Sequence, residues 1–251
     1  FSATTSGIST VAIFGRQFLK AYSTFPHPNA LAGYFLVSAI FMVGFAKKSA
    51  RKLIAVSLVI TALALVLTFS LGAAVALVFS LALFFVRKNL STILFFIMLV
   101  LSIISPIFIQ NLNISSGSFG SYSESFFRRI ALIESAGKMI GEEPLLGVGL
   151  NNFIVKLPQA GSYPSVSWWL QPVHNIFLLV FSESGLLGLI LFSTLIFFAL
   201  RSALKKQNRT LAMCIMAILI TGFFDHYWLT LQQNQLLFAL ILGLSLRAEK
   251  S

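Results

Sequence analysis

The chain contains a single cysteine, Cys214, which rules out an internal disulfide. Lying inside an apolar run, it reads as a small residue facing lipid or another helix. Charge is sparse: only 10% of the 251 residues carry one. Acids are scarcer still, seven against 18 Lys and Arg. A soluble domain carries about 25% charged residues, so this composition excludes one. The net charge of +11 does not mark a nucleic-acid binder, because the basic residues fall in short clusters between apolar runs. The chain begins at Phe1 without a methionine or the layout of a signal peptide, and is expected to be a fragment of a longer protein.

What fills the sequence is apolar: 57% hydrophobic residues, 26 of them Phe. Runs of about twenty such residues span a bilayer when helical. Seven are expected, near 30–46, 53–69, 71–86, 90–109, 173–200, 210–224 and 229–246. The fold class is therefore all-α, a polytopic transmembrane helix bundle. It is read as one membrane domain over 1–251 with a large extracytoplasmic loop at 110–172. Lys47, Lys48, Arg51 and Lys52 share one loop, and Arg87 with Lys88, then Arg201, Lys205, Lys206 and Arg209, then Arg247 and Lys250 follow on the same face. These are 12 of the 18 basic residues. The positive-inside rule makes that face cytoplasmic. Arg16, Lys20, Arg128, Arg129, Lys138 and Lys156 fall on the other face, with all three histidines and every acid except Glu249. Side chains capable of chemistry thus gather outside the cytoplasm.

Arg16 and Lys20 are spaced to share one face if their stretch is helical, where they would attract an anionic ligand or lie among headgroups. In Thr24-Phe25-Pro26-His27-Pro28-Asn29 the prolines block helix continuation, and Asn29 is placed to cap a helix starting at Ala30. His27 beside it reads as a loop residue, with a contribution to an outer polar site as the alternative. Ala62, Ala64, Gly72, Ala73, Ala74 and Ala76 would let neighbouring helices approach closely. Within the large loop, Ser115–Ser123 reads as flexible. Phe126, Ile130, Ile133 and Ile140 recur at helical spacing, predicting an amphipathic helix that lies on the membrane or caps the bundle. Arg128 and Arg129 project about 100° apart on it. Gly147 and Gly149 could expose backbone N–H groups to an anion. Trp168 and Trp169 fit an interfacial aromatic belt, with sugar stacking as the alternative. Asp225-His226-Tyr227-Trp228 forms an outer turn in which the aspartate either orients an imidazole or is simply polar.

The stretch of most consequence is Pro172–Gly188, PVHNIFLLVFSESGLLG. His174-Asn175 open an apolar helix that carries Glu183, nine residues and about 13 Å further on, and loosens at Gly185 and Gly188. Ionisable groups in a bilayer are costly and tend to mark sites. Glu183 falls on roughly the opposite helix face from His174, so it is expected to pair elsewhere.

His174-Asn175, nine residues, then Gly185-Leu-Leu-Gly188 resembles the signature of the O-antigen ligase and O-antigen polymerase superfamily. Pro28-Asn29-Ala30 before a helix, Arg129 fifteen residues ahead of the Pro144 turn, and a large loop before the signature helix agree with it. The resemblance covers essentially the whole chain, as the C-terminal catalytic portion. It implies an inverting glycosyltransferase of the bacterial plasma (inner) membrane, multi-pass and active at its extracytoplasmic face. The glycan would pass from a polyprenyl-diphosphate carrier to a glycolipid or glycan acceptor, without metal, nucleotide or other cofactor. His174 would position or deprotonate the acceptor hydroxyl, Arg129 would hold the diphosphate, and Asn175 would join the substrate site. Glu183, Asp225, His27 and Asn29 are candidate supporting residues. Where the family commonly carries Ser-Arg-Gly, this chain reads Ser70-Leu71-Gly72. Either Arg16, Lys20 or Arg128 supplies the second diphosphate contact, or the activity is altered. A transporter or flippase is the competing class, predicting several deep ionisable residues, broken mid-membrane helices and inverted repeats. A non-catalytic membrane protein would leave the outward clustering of His174, Arg129 and Asp225 without a purpose.

Overall fold

The computed structural model describes residues 9–45, 50–85, 88–111, 124–160 and 170–247. Lys47, Lys48, Arg87, Lys250, the Ser115–Ser123 stretch and the Trp168-Trp169 pair lie outside them. The chain is an all-α membrane protein. Among the described residues, Arg51–Thr68, Leu90–Ile109 and Ile176–Lys205 are long and apolar enough to cross a bilayer, and Pro28–Gly44, Leu71–Ala82 and Arg209–Phe224 are shorter apolar helices. The chain forms two compact units, one of Phe1–Leu90, Ala199–Thr221 and Tyr227–Ser251, the other of Ser91–Phe198 and Gly222–His226.

The first unit opens with a hairpin, β1 (Thr10–Ile13) against β2 (Arg16–Leu19), in register Ile13↔Arg16 and Thr10↔Leu19. Arg16 and Lys20 therefore do not share a helical face. Phe14 and Gly15 both take positive φ, 48° and 74°, the twist that a two-residue turn needs between antiparallel strands. Local turn chemistry outweighed the i, i+4 charge spacing. The Ala21 N–H then donates to Leu67 O at 3.0 Å.

α1 (Pro28–Gly44) is capped by His27, whose Nδ1 accepts the Asn29 N–H at 3.2 Å. The cap thus sits two residues earlier than Asn29, because Pro28 suits the first helical position, where no N–H is needed. α2 (Arg51–Thr68) ends on Phe69 at φ 49°, and α3 (Leu71–Phe85) begins with the Ser70 hydroxyl accepting the Ala73 N–H. Leu71 at this turn is exposed. Ala73 and Ala76 pack inward as their size suggests, whereas Ala62 and Ala74 are exposed and Gly72 meets nothing within 4 Å. α8 (Arg209–Phe224), α9 (Tyr227–Thr230) and α10 (Gln232–Leu246) follow late in the chain. Asn234 Nδ2 donates to Ala30 O, Trp228 Nε1 donates to Thr221 Oγ1 at 2.8 Å, and Cys214 is buried with its sulfur 3.8 Å from Val37 O.

The second unit holds α4 (Lys88–Asn111) from Ser91 onward, α5 (Glu124–Glu142), α6 (Phe153–Ala160) and α7 (Ile176–Lys205) up to Phe198. Pro106 lies inside α4, and without its N–H the Ser102 carbonyl accepts the Ser105 hydroxyl instead, at 2.9 Å. α5 is amphipathic, and it packs on protein: Ile130, Ala131, Leu132, Ser135, Ala136 and Met139 are buried, while Phe126 is exposed. Phe95 and Phe177 meet edge to face at a centroid distance of 6.2 Å.

α7 is not one continuous helix. Gly185 has φ 63° and ψ −166°, a backbone open essentially to glycine alone, and it divides α7 in two. The Pro144–Gly149 loop bonds to two carbonyls and two N–H groups at the break. Val148 and Gly149 donate to Ser182 O and Glu183 O, each at 2.9 Å, while Leu186 and Leu187 donate to Pro144 O and Leu145 O at 2.9 and 3.4 Å. A Cβ on Gly185 would strike the Leu145 carbonyl, and one on Gly147 would strike the Glu183 backbone. The signature glycine and the loop glycine are thus two halves of one joint.

Candidate functional site

His174 lies just ahead of α7 and Asp225 just after α8, both within the second unit. His174 Nδ1 stands 3.2 Å from Asp225 Oδ1, with the two side chains 17% and 9% exposed. An ionised carboxylate only accepts, so the hydrogen bond between them is donated by Nδ1–H, the tautomer whose neutral ring carries its lone pair on Nε2. The carboxylate itself is held by the backbone: Asp225 Oδ1 accepts the His226 N–H at 2.9 Å. The imidazole that Asp225 meets at hydrogen-bond distance is that of His174, 51 residues earlier.

Asn175 fixes the histidine's backbone. Its Oδ1 accepts the Phe177 and Leu178 N–H groups at 2.9 and 3.1 Å, capping α7, and its Nδ2 donates to Ser102 Oγ at 2.9 Å and Phe223 O at 3.2 Å. Buried and fully engaged, this amide supports the site and has no donor left for substrate.

Arg129, on α5, donates from Nη1 to Phe224 O at 3.1 Å. That carbonyl ends α8, where a cation is favoured, and it directly precedes Asp225. Segment 222–226 thus gathers Asn175, Arg129 and His174 through Phe223, Phe224 and Asp225. One nitrogen of the guanidinium fork anchors the side chain, and the fork has further donors to offer. Arg128 projects to a different side of α5.

Glu183 serves the joint, not the histidine. Its carboxylate accepts the Phe153 N–H at 3.2 Å and the Asn151 N–H, satisfying the start of α6. Gly147 and Gly149 do not present N–H groups to an anion: they donate to Glu143 O and Glu183 O. Arg16, Lys20, His27 and Asn29 belong to the first unit, where His27 Nε2 also lies 3.3 Å from Ser9 Oγ.

Sequence reasoning missed His226 as a neighbour of His174. The two rings lie 5.1 Å apart, and His226 Nε2 is 4.0 Å from Asp225 Oδ1. Ligand atoms of His174, Asp225 and His226 all lie within 4.8 Å of one another, so among the described residues these three are the group able to hold a metal ion. Nothing short of the fold brings residue 174 to 225, although the acid–imidazole pair in the turn was a visible signal.

No curated protein matches the chain. Residues 56–193 match the family described as O-Antigen ligase, a span that holds Arg129, the Pro144–Gly149 loop, His174 and both signature glycines. The chain belongs to the O-antigen ligase family, and its function is of the membrane O-antigen ligase or polymerase type.

Proposed function

We propose that this protein moves a glycan from a polyprenyl-diphosphate carrier to a hydroxyl acceptor at the extracytoplasmic face of the bacterial plasma membrane, inverting the sugar's configuration. In this reading the seven helices form one membrane domain, and 110–172 lies outside. The single observation that carries it is the His174–Asp225 pair at 3.2 Å with Arg129 bound to the preceding residue's carbonyl.

A diphosphate is already a good leaving group, so the reaction calls for positioning, a base and a cation. His174 Nε2 takes the acceptor's proton as its oxygen attacks the sugar's anomeric carbon. Asp225 is a positioning residue: it holds the tautomer that leaves Nε2 free and steadies the imidazolium that forms. Arg129 offsets the charge on the departing diphosphate, for which its planar fork is better suited than an ammonium. A ligase passes the glycan to a glycolipid or other surface acceptor; a polymerase, the alternative of the same superfamily, passes it to a second carrier-linked glycan. Both use this donor site.

The test is glycan transfer in cells carrying the full-length protein, at matched membrane levels. His174→Ala is expected to lower transfer by about 100-fold or more, the usual worth of a general base, and to let carrier-linked glycan accumulate. Arg129→Ala should act mainly on donor KM. Asp225→Asn should reduce kcat with KM little changed, which a merely structural role would not produce. Unchanged transfer in His174→Ala and Arg129→Ala together refutes the site.

A further inference from the structure

The dyad needs only one imidazole, yet a second converges on the same carboxylate. His226 Nε2 lies 4.0 Å from Asp225 Oδ1, against 3.2 Å for His174 Nδ1, and the rings tilt 49° to each other. We propose that His174, Asp225 and His226 form a transition-metal site suited to Zn²⁺, and that filling it switches transfer off. The inhibitory half rests on the general-base role proposed above; the binding half does not.

Zinc bonds to imidazole nitrogen and carboxylate oxygen are about 2.0–2.2 Å long, which puts tetrahedral ligand atoms about 3.4 Å apart. The His174–Asp225 edge already meets that spacing, and no pair exceeds 4.8 Å. A modest rotation of His226, which sits in the short turn after α8 and is 17% exposed, closes the rest. Two imidazoles and one carboxylate fill three positions and leave a fourth for water. Mg²⁺ and Ca²⁺ want six or more oxygen ligands, so the donor set discriminates against them.

The chemistry of inhibition follows from one ring. A metal bound at His174 Nδ1 takes the lone pair opposite Nε2, and a neutral imidazole then keeps its only proton on Nε2. The nitrogen that should accept the acceptor's proton is therefore already protonated. The metal also occupies the Asp225 oxygen that held the working tautomer.

The experiment titrates Zn²⁺ alone into metal-stripped full-length protein in lipid nanodiscs, against a chromogenic zinc indicator. One Zn²⁺ per chain is expected. His226→Ala should weaken it at least tenfold, while His27→Ala, the remaining histidine of the chain, leaves it unchanged. Co²⁺ in place of Zn²⁺ should give the visible absorption of a low-symmetry nitrogen and oxygen site, lost in His226→Ala. His226 takes no part in the transfer, so His226→Ala retains basal activity and loses sensitivity to zinc. Equal binding by wild type and His226→Ala overturns the site. Loss of transfer on chelation overturns the inhibitory role. Zinc that binds through His226 without slowing transfer leaves the site standing and refutes the general-base reading of His174, so the two failures are distinct.

Discussion

Gly185→Ala should unfasten the joint between α7 and the Pro144–Gly149 loop. At φ 63° and ψ −166° an L residue is strained by about 1–3 kcal/mol. The new methyl would overlap the Leu145 carbonyl and the Leu146 nitrogen, which are backbone atoms and cannot swing aside. Relief requires the loop to back away from α7, stretching the four hydrogen bonds that cross between them, each worth about 1 kcal/mol. Strain plus the loss of two bonds gives about 3–5 kcal/mol. For a chain of this size 1 kcal/mol moves Tm by about 2–4 °C, so a fall of about 6–20 °C is expected. The assay is heating with a thiol-reactive dye, since the one cysteine, Cys214, is buried and reacts only on unfolding. Gly141→Ala is the control. It lies in α5 with nothing within 4 Å of a Cβ, and alanine favours a helix over glycine by about 1 kcal/mol. A Gly185→Ala protein melting within 2 °C of wild type would show that the break is not held as described.

Glu183→Ala should cost about 1–3 kcal/mol in the same melt, because the Phe153 and Asn151 N–H groups lose their acceptor; Glu183→Gln, which keeps an oxygen there, should lose less than half of that. Its transfer activity per folded molecule should stay near wild type, and a hundredfold loss would show that Glu183 acts in the chemistry. Asn175→Ala should remove the α7 cap and the ties to Ser102 and Phe223, lowering stability by about 1–2 kcal/mol and transfer with it. In a double-mutant cycle with Ser102→Ala, melts should reveal a coupling of about 1 kcal/mol, and additivity would refute the hydrogen bond between them.

Membrane helices were legible because a bilayer enforces length and apolarity: the expected 53–69 and 90–109 segments match α2 and α4 to within about two residues at each end. What stayed hidden has one physical cause. Periodicity reports which residues face away from water, and says little where backbone groups pair over long sequence distances. The Arg16–Lys20 spacing left open whether the stretch is helical because charge spacing is a weak local signal, whereas Phe14-Gly15 at positive φ decided for a hairpin. Gly147 and Gly149 looked like an anion cradle because their partners, Glu143 O and Glu183 O, cannot be read from the loop's own sequence. His174 stood out as an imidazole at a helix start, and Asp225 as an acid in an outer turn. Their pairing depends on how α7 and the end of α8 pack, which a single sequence does not encode locally.

The break in α7 also bears on the competing class, since transporters are built on discontinuous helices. In those proteins the broken ends face a cavity and their unpaired carbonyls and N–H groups hold the solute. Here Ser182 O, Glu183 O and the Leu186 and Leu187 N–H groups are each matched by the Pro144–Gly149 loop, and the nearby carboxylate of Glu183 is matched by α6. These groups are engaged by protein and are not offered to a passing ion. The joint's consequence is mechanical: α5, which carries Arg129, runs directly into the loop fastened to α7, which His174 precedes. Arg129 and His174 are therefore set on elements tied together at two levels, through Phe224 beside Asp225 and through the joint at Gly185. For the transfer proposed above, rigid spacing between Arg129 and His174 is what two substrates need, because each must be held in line with the sugar carbon.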